Sequence, residues 1–392
     1  MSKAGFHLGL DVGSVSANTV VIDAKKNVVE DHYTRLKGQP LETVYRVLAD
    51  VLARVPGDQI RSVSVTGTSG KLIADLLGAE FINEIIAQSK STMHFHPEVK
   101  TIIEMGGEDS KLILVQSDAK TGDYKIVDFS MNTICAAGTG SFLDQQANRL
   151  QLTIEEFSQL ALKSKTPPRI AGRCSVFAKS DMIHLQQGAT PDYDIVAGLC
   201  YALARNFKSN IAKGKNIIRP VSFQGGVAAN AGMRKAFADV LELNEGELII
   251  PKHFASMGAI GAAFLTLEEK GLWKTFEGLD RLREFINREK PAENPLEPLS
   301  LSAHHLQTRE WRPLTQAPAD GKKIPAYLGI DVGSISTNVV VMDTNKKVLS
   351  KRYLMTASRP IEAIRQGLGK WATKSAIWLR SKASAPPGPG AT

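Results

Sequence analysis

The chain has 392 residues, 43% hydrophobic and 22% charged, which is ordinary for a globular protein. Its net charge of +8 includes no basic stripe interleaved with aromatic residues, so the pattern of a nucleic-acid-binding surface is excluded. No run of about eighteen apolar residues and no signal-peptide profile occurs, so we predict a cytoplasmic protein without a membrane span. Its 3 cysteines exclude a disulfide framework there, which leaves metal binding or core packing.

The predicted elements alternate between strands and helices. Apolar runs bounded by turn residues predict strands, and apolar positions at helical spacing predict helices. The predicted strands cover 6–11, 18–23, 28–35, 60–66, 101–105, 111–116 and 221–223. The predicted helices cover 138–149, 175–187, 194–213 and 255–270, after a first one over 41–54. This order indicates an α/β fold.

The beginning of the chain returns near its end. The segments Leu8–Asp23 and Leu328–Asp343 are identical at eleven of sixteen positions, so we expect a duplicated domain start. Prolines cluster within 276–325, which predicts a linker or arm between the copies. The second copy, 326–392, is predicted to be the truncated start of a second domain, and its altered composition near the end suggests truncation or a shifted reading frame.

A first candidate phosphate loop follows the first predicted strand. Gly13 permits a tight turn, and the backbone amides and hydroxyls of Ser14 and Ser16 can face phosphate oxygens. Asp11, at the end of the strand, is suited to hold Mg²⁺ through water. A single turn of this kind is weak evidence, because an ordinary hairpin has the same sequence pattern.

A second loop repeats the design. Glu104 and Gly106 reproduce the acid-x-Gly spacing between two more strands, followed by Gly107 and Asp109. Two such hairpins can grip a triphosphate from opposite sides, with Mg²⁺ between Asp11 and the second acidic loop. We therefore predict that Asp11 and Glu104 act in catalysis at an ATP site.

The rest of the nucleotide pocket is predicted further along the chain. Gly225 and Gly226 follow a short strand and allow close approach of the backbone to an adenosine, with Asn230 and the helix beyond it completing the pocket. The glycine loop of Gly138 and Gly140 is a further candidate contact with the nucleotide.

Two cysteines precede predicted helices. Cys135 comes shortly before one helix start and Cys174 immediately before another. Two thiolates per chain become four in a dimer, the number that one iron–sulfur cluster on a two-fold axis needs. The alternative is a pair of buried structural cysteines.

Three other residues are weaker metal candidates. Cys200 lies among apolar residues of a predicted helix and is interpreted as core. His94 and His96 alternate as on a strand or loop, and they form either a metal pair without an evident third ligand or, more simply, part of a polar loop.

Several of these segments carry a resemblance to known proteins. Four resemble the phosphate, adenosine and closing-helix segments of the acetate-kinase, sugar-kinase, heat-shock-chaperone and actin superfamily: Asp11–Ser16, Glu104–Lys111, Phe223–Asn230 and Gly258–Ala263. Cys135–Ser141 and Arg173–Lys179 narrow the resemblance to the BadF/BadG/BcrA/BcrD ATPase family, specifically the activators of 2-hydroxyacyl-CoA dehydratases. The second domain start resembles the members that carry two such domains in tandem.

The resemblance implies a two-lobed α/β ATPase of duplicated ribonuclease-H-like domains within residues 1–275. Lobe I is expected over about 1–95 plus 255–275, and lobe II over about 96–254. The family further implies a homodimer that shares one [4Fe-4S] cluster on Cys135 and Cys174, and that uses ATP and Mg²⁺ to donate one electron at a time.

The same resemblance implies partners. A ferredoxin or flavodoxin is the expected electron source, and a 2-hydroxyacyl-CoA dehydratase or a benzoyl-CoA reductase-like enzyme is the expected acceptor. Two alternatives remain open at this point. One is a non-redox kinase or ATP-driven conformational protein of the same superfold, and the other is an inert fragment of a tandem protein.

Overall fold

The computed structural model describes residues 5–117, 123–132, 138–171, 175–269, 276–288, 322–333, 335–357, 359–372 and 379–384. Its helices are α1 Pro40–Arg54, α2 Gly70–Leu77, α3 Glu84–Phe95, α4 Gly140–Arg149, α5 Ile154–Ala161, α6 Ser175–Gln187, α7 Asp192–Asn206, α8 Ala231–Val240, α9 Met257–Glu268, α10 Asp280–Asn287 and α11 Pro360–Ala372. Its strands are β1 Phe6–Val12, β2 Ser16–Asp23, β3 Val28–Arg35, β4 Ile60–Thr66, β5 Glu80–Phe81, β6 Thr101–Met105, β7 Ser110–Ser117, β8 Tyr124–Asn132, β9 Val221–Gln224, β10 Leu248–Ile249, β11 Ile324–Val332, β12 Ser336–Asp343, β13 Val348–Met355 and β14 Leu379–Ser384.

The chain divides into two compact units. The first comprises residues 1–148, 152–179 and 196–289. The second comprises 149–151, 180–195 and 290–392. In the described part of the chain, no helix combines the length and apolar character needed to cross a membrane.

The first sheet of the first unit has the order β3-β2-β1-β4-β5. Strand β1 pairs antiparallel with β2 and parallel with β4, so one hairpin and one crossover build its centre. Alternation along β1 sends Leu8, Leu10 and Val12 into a core completed by α1. Helix α9 packs on β1, β2 and β4.

The second sheet has the order β10-β9-β6-β7-β8. It repeats the plan of the first, with an antiparallel hairpin of β6 and β7 beside a parallel strand, β9. The register sets Glu104 of β6 opposite Gln224 of β9. The loops that follow β1 and β6 therefore hold equivalent positions, because each joins the two strands of a hairpin in its own sheet.

Helix α3 differs from the expectation for its region. The sequence pattern predicts a strand or loop for His94 and His96, whereas Glu84–Phe95 forms a helix. Asn83 caps it by accepting hydrogen bonds from the backbone amides of Ile85 and Ile86. The strand or loop assignment is therefore wrong for His94, because a capped helix sets its geometry.

Two further segments depart from the predicted boundaries. The helix expected over 194–213 runs over Asp192–Asn206 and ends in a π-helical turn, Phe207–Ile211. Helix α10, Asp280–Asn287, lies within the segment expected to be a linker and buries Leu282 in the core beside α1.

The second unit contains its own four-stranded sheet, ordered β13-β12-β11-β14. Strand β11 pairs antiparallel with β12 and parallel with β14. The order matches β3-β2-β1-β4 of the first sheet, and helix α11 stands in the place of α1 along the chain. The internal repeat of the sequence is thus a structural repeat as well.

Candidate functional site

A cavity of about 510 Å³ lies within the first unit, between the hairpins of its two sheets. Twelve of the predicted site residues line it: Asp11, Gly13, Ser14, Ser16, Glu104, Gly106, Gly107, Asp109, Gly140, Gly225, Gly226 and Asn230. Gly138 is buried just outside the lining. The structure therefore brings together residues that the sequence separates by more than two hundred positions.

The two acid-x-Gly turns have the same construction and touch each other. In the first, the Gly13 amide donates to the Ser16 carbonyl at 3.0 Å, and in the second the Gly106 amide donates to the Asp109 carbonyl at 3.0 Å. A Cβ on Gly107 would lie only 2.3 Å from Cγ2 of Val15. Glycine is needed there because the turns approach so closely, and the predicted opposition of two hairpins is observed.

The glycine loop before α4 is bonded to the second turn. The Gly140 amide donates to the Gly106 carbonyl at 2.9 Å, and the Ser141 amide donates to the Gly107 carbonyl at 2.8 Å. The Ser110 hydroxyl donates to the Gly138 carbonyl at 2.5 Å. The start of α4 is therefore attached to a turn that lines the cavity.

Another wall of the cavity follows strand β9. Gly225 has φ +88° and ψ 170°, a conformation that is almost restricted to glycine. Its amide donates to the Phe254 carbonyl at 2.7 Å. Asn230 caps α8 by accepting from the Met233 amide at 3.0 Å, and its Nδ2 has no hydrogen-bond partner among the described residues. This wall thus combines the cavity-lining backbone of the Gly225 turn with one buried amide nitrogen that has no partner among the described residues.

The floor of the cavity is formed by Lys111 and the acidic side chains around it. The sequence pattern does not mark this buried lysine as a site residue. The Lys111 side chain is 3% exposed, and its Nζ lies 2.8 Å from carboxylate oxygens of Glu84, Glu104 and Asp109. Three carboxylates satisfy the three donors of one ammonium group. A lysine within the apolar strand β7 was the available signal, but Glu84 was hidden because α3 was not predicted.

This charge arrangement shifts the pKa values on the floor. Burial, together with Glu84 and Glu104, raises the pKa of Asp11 to about 8, although Lys111 acts in the opposite direction. Burial also raises the pKa of Glu104 to about 7 despite the attraction of Lys111. For Lys111, burial lowers the pKa, but the three carboxylates outweigh it and hold the pKa above its usual value. Negative charge is therefore in excess at the floor.

Among the described residues, Asp11 is the carboxyl group of the floor that no cation contacts directly. Within the described residues it makes no hydrogen bond or ion pair, whereas Glu84, Glu104 and Asp109 all pair with Lys111. A bound cation would offset the excess negative charge beside Asp11. Asp11 is therefore a better candidate to face Mg²⁺ than the second acidic loop.

An ion pair joins the two sides of the cavity near its lining residues. The Arg35 guanidinium of β3 contacts the Asp144 carboxylate of α4 at 2.8 Å, and both residues line the cavity. The hydrogen bond to Asp144 raises the pKa of Arg35. Because α4 is also hydrogen-bonded to the second turn, this pair connects β3 to that turn through α4.

His94, His96 and Cys200 do not form a metal site with other described residues. The His94 ring packs against Phe264 with centroids 4.7 Å apart, and His96 lies 3.4 Å from the Glu98 carboxylate. Within the described ranges, no group of three or more His, Cys, Asp or Glu side chains has the geometry to hold a metal ion. Cys200 is fully buried, and burial raises its pKa to about 12, which confirms it as core.

The two predicted cluster ligands, Cys135 and Cys174, lie outside the described residues. The described chain resumes after each of them with a helix: α4 begins at Gly140 and α6 begins at Ser175. The two helices predicted to follow the cysteines in the chain are therefore present.

Comparison with known proteins decides the family. The profile of the BadF/BadG/BcrA/BcrD ATPase family matches residues 8–266. The chain belongs to this ATPase family. The 2-hydroxyisocaproyl-CoA dehydratase activator of Clostridioides difficile is 31% identical over 267 residues, which are 67% of this chain and 96% of that protein.

Solved structures agree with this membership. Component A of the (R)-2-hydroxyglutaryl-CoA dehydratase of Acidaminococcus fermentans has a TM-score of 0.61 at 28% identity, covering 67% of this chain and 98% of its own. The activator of the 2-hydroxyisocaproyl-CoA dehydratase of Clostridium difficile, with bound ADPNP, has a TM-score of 0.59 at 27% identity, covering 74% and 100%. The predicted α/β fold of the actin and sugar-kinase class is confirmed.

Proposed function

We propose that this family ATPase couples ATP hydrolysis to the transfer of single electrons from a [4Fe-4S] cluster shared by two copies of the chain. The acceptor would be a 2-hydroxyacyl-CoA dehydratase or a benzoyl-CoA reductase-like enzyme. The observation that carries the proposal is the pair of hydrogen bonds between the second turn of the cavity and the start of α4, which follows Cys135 in the chain. Gly140 and Ser141, bonded to the second turn, follow Cys135 by only five and six positions.

The nucleotide part of the proposal assigns a task to each wall of the cavity. The hydroxyls of Ser14 and Ser16 and the backbone of Gly106 and Gly107 would bind phosphate oxygens. The backbone of Gly225 and Gly226 and the free Nδ2 of Asn230 would bind the adenosine. This division is supported by the two opposed turns and by the Gly225 wall after β9, all of which line the cavity.

The catalytic part of the proposal rests on Asp11. Its carboxyl group, which no cation contacts directly among the described residues, fits the position of a Mg²⁺ ligand acting directly or through water. When bound, Mg²⁺ would offset negative charge on the phosphates. Glu104, held by Lys111 at 2.8 Å, would act by fixing the electrostatics of the floor.

The electron-transfer part rests on the chemistry of the donor set. Two thiolates per chain fit half of the four ligands that a [4Fe-4S] cluster takes. The amide groups at the starts of α4 and α6 carry partial positive charge, which suits an anionic cluster. Movement of the second turn on nucleotide binding would be transmitted through Gly140 toward Cys135, five positions earlier in the chain.

Partners and domain limits complete the proposal. We propose a homodimer reduced by a ferredoxin or flavodoxin, with the ATPase domain over residues 1–275. Within it, lobe I would cover about 1–95 plus 255–275 and lobe II about 96–254. Residues 276–325, whose helix α10 packs in the core beside α1, would connect this domain to the partial second domain at 326–392.

Iron analysis of protein purified without oxygen tests the proposal. The wild type is expected to contain about four irons and four sulfides per two chains. Cys135→Ala and Cys174→Ala should each lose the iron and still bind ATP, whereas the matched buried-cysteine control Cys200→Ala should keep it. Iron retained by either of the first two variants would contradict the ligand assignment. An iron-free wild type that turns over ATP would favour a non-redox ATPase of the same fold.

A further inference from the structure

Gln88 is a buried polar residue of the cavity floor that the proposed function does not yet use. It lies on α3 one turn after Glu84, so the two side chains share a face of the helix. Glu84 contacts Lys111, and Gln88 lines the cavity although only 5% of the residue is exposed. A buried amide is expected to have partners for both its carbonyl and its amino group.

A hydrogen-bond network fixes the orientation of the Gln88 amide. Gln224 of β9 donates through Nε2 to the Oε1 of Gln88 at 2.6 Å. The Oε1 of Gln224 in turn lies 3.0 Å from the hydroxyl oxygens of Thr92 and Ser222. The side-chain carbonyl of Gln88 thereby accepts a hydrogen bond from Gln224, and its Nε2 remains available as a donor to another group.

The Nε2 of Gln88 lies on the same side of α9 as Asp11. A Cβ on Gly258 would be 2.2 Å from Oδ2 of Asp11 and 3.0 Å from Nε2 of Gln88. Both groups therefore pack against Gly258 and lie within about 5 Å of each other, and both residues line the cavity. Among the described residues, Nε2 donates no hydrogen bond. An amide donor aimed at a cavity beside a carboxylate suits a water molecule that needs both an acceptor and a donor.

We propose that Gln88 is a catalytic residue of ATP hydrolysis, whose Nε2 holds the attacking water against Asp11. The inference rests on the proposed function in that it takes ATP as the substrate. The oxygen of this water forms a bond to the γ-phosphorus, and the bond from that phosphorus to the bridging oxygen breaks. The electron pair of the broken bond leaves with ADP, and the phosphate formed releases one proton of the water to solvent. Orientation of an attacking water by a glutamine is an established device in phosphoryl transfer.

Gln224 acts through Gln88 in this scheme as a positioning residue. Without Gln224, the amide group of Gln88 is still present, but it can rotate and turn its carbonyl oxygen toward Asp11. Its removal should therefore cost less than removal of Gln88 itself.

Steady-state ATPase kinetics of Gln88→Leu and Gln224→Leu test the proposal. Gln88→Leu should lower kcat about 100-fold while the Kd for ATP stays within about threefold, because the water and not the nucleotide loses its contact. Gln224→Leu should lower kcat about tenfold. The matched control is Gln146→Leu, a glutamine of α4 that is 3% exposed and does not line the cavity, and it should leave kcat unchanged.

Several outcomes would overturn the proposal. A Gln88→Leu protein with wild-type kcat would do so, as would one that loses ATP binding in step with activity. If Gln88→Leu does not fold, Gln88→Asn, which retains a shorter amide, must show the loss of kcat at unchanged Kd. The test is separable from the proposed electron transfer: an iron-free wild type would refute that transfer while leaving the Gln88 effect on ATP turnover intact. A wild type that binds ATP without hydrolysing it would refute both.

Discussion

Replacement of Lys111 by methionine isolates the charge balance of the cavity floor. Methionine keeps the unbranched shape and most of the length of the side chain but removes the ammonium from three carboxylate contacts of 2.8 Å at a site that is 3% exposed. Removal of one partner from a buried ion pair costs about 3–5 kcal/mol. We therefore expect Lys111→Met to lower the free energy of unfolding of the nucleotide-free protein by about that amount at pH 8.

The pH dependence of this loss follows from the shifted carboxyl groups. Lys111 lowers the pKa of Glu104 and Asp11, so its removal moves both folded pKa values further above their ordinary values of 4.5 and 3.8. The folded protein then binds more protons than the unfolded chain, and stability falls as pH rises through this window. The loss caused by Lys111→Met should accordingly be smaller at pH 6 than at pH 8.

Urea unfolding followed by circular dichroism at both pH values measures this loss. Lys235→Met is the matched control, because Lys235 makes a single carboxylate contact of 3.0 Å to Asp239 and is 54% exposed. It should cost no more than about 1 kcal/mol at either pH. A Lys111→Met protein that loses less than about 1 kcal/mol at pH 8, or loses equally at pH 6 and pH 8, would refute the reasoning.

Three more predictions follow from the same site. Asp11→Asn removes a carboxyl group whose pKa in the folded protein is about 8. In urea unfolding, the nucleotide-free variant should therefore be about 2–4 kcal/mol more stable than wild type at pH 7 and no more stable near pH 4. Equal stability of the two proteins at pH 7 would contradict this prediction. Gly107→Ala should abolish ATP binding in calorimetry, because the new Cβ would lie 2.3 Å from Val15. Adding Val15→Ala to this variant should restore part of the binding. ATP binding unaffected by Gly107→Ala would refute the close approach of the two turns. Arg35→Ala breaks the half-exposed ion pair with Asp144 and should change the free energy of unfolding by less than about 1 kcal/mol. In stopped flow, the variant should nevertheless release a fluorescent ATP analogue faster than wild type. The control Arg283→Ala, at an exposed arginine, should leave the release rate unchanged.

The phosphate turns were predictable from sequence because their chemistry is local. An acid, one residue and a glycine between two apolar runs determine a hairpin, and its repetition at Glu104–Gly106 indicates a second one. The residues lining the cavity at both turns follow directly from that pattern. The internal repeat was equally clear, because identity at fixed spacing needs no tertiary information.

The cavity floor was not predictable because it depends on contacts between distant elements. The three carboxylates on Lys111 come from α3, β6 and the loop before β7. Helix α3 has polar and apolar residues without clear periodicity, since both sides of it are buried between α9 and the second sheet. Without that helix, neither Glu84 nor Gln88 can be placed at the nucleotide cavity.

The electron paramagnetic resonance spectrum of the reduced protein tests the central claim most directly. Protein prepared without oxygen should give a signal from one cluster per two chains, and addition of a non-hydrolysable ATP analogue with Mg²⁺ should change its line shape. The change is expected because Gly140, bonded to the second phosphate turn, follows Cys135 closely in the chain. A protein that binds the analogue but gives no signal, or a signal that the analogue leaves unaltered, would contradict the coupling of nucleotide to cluster.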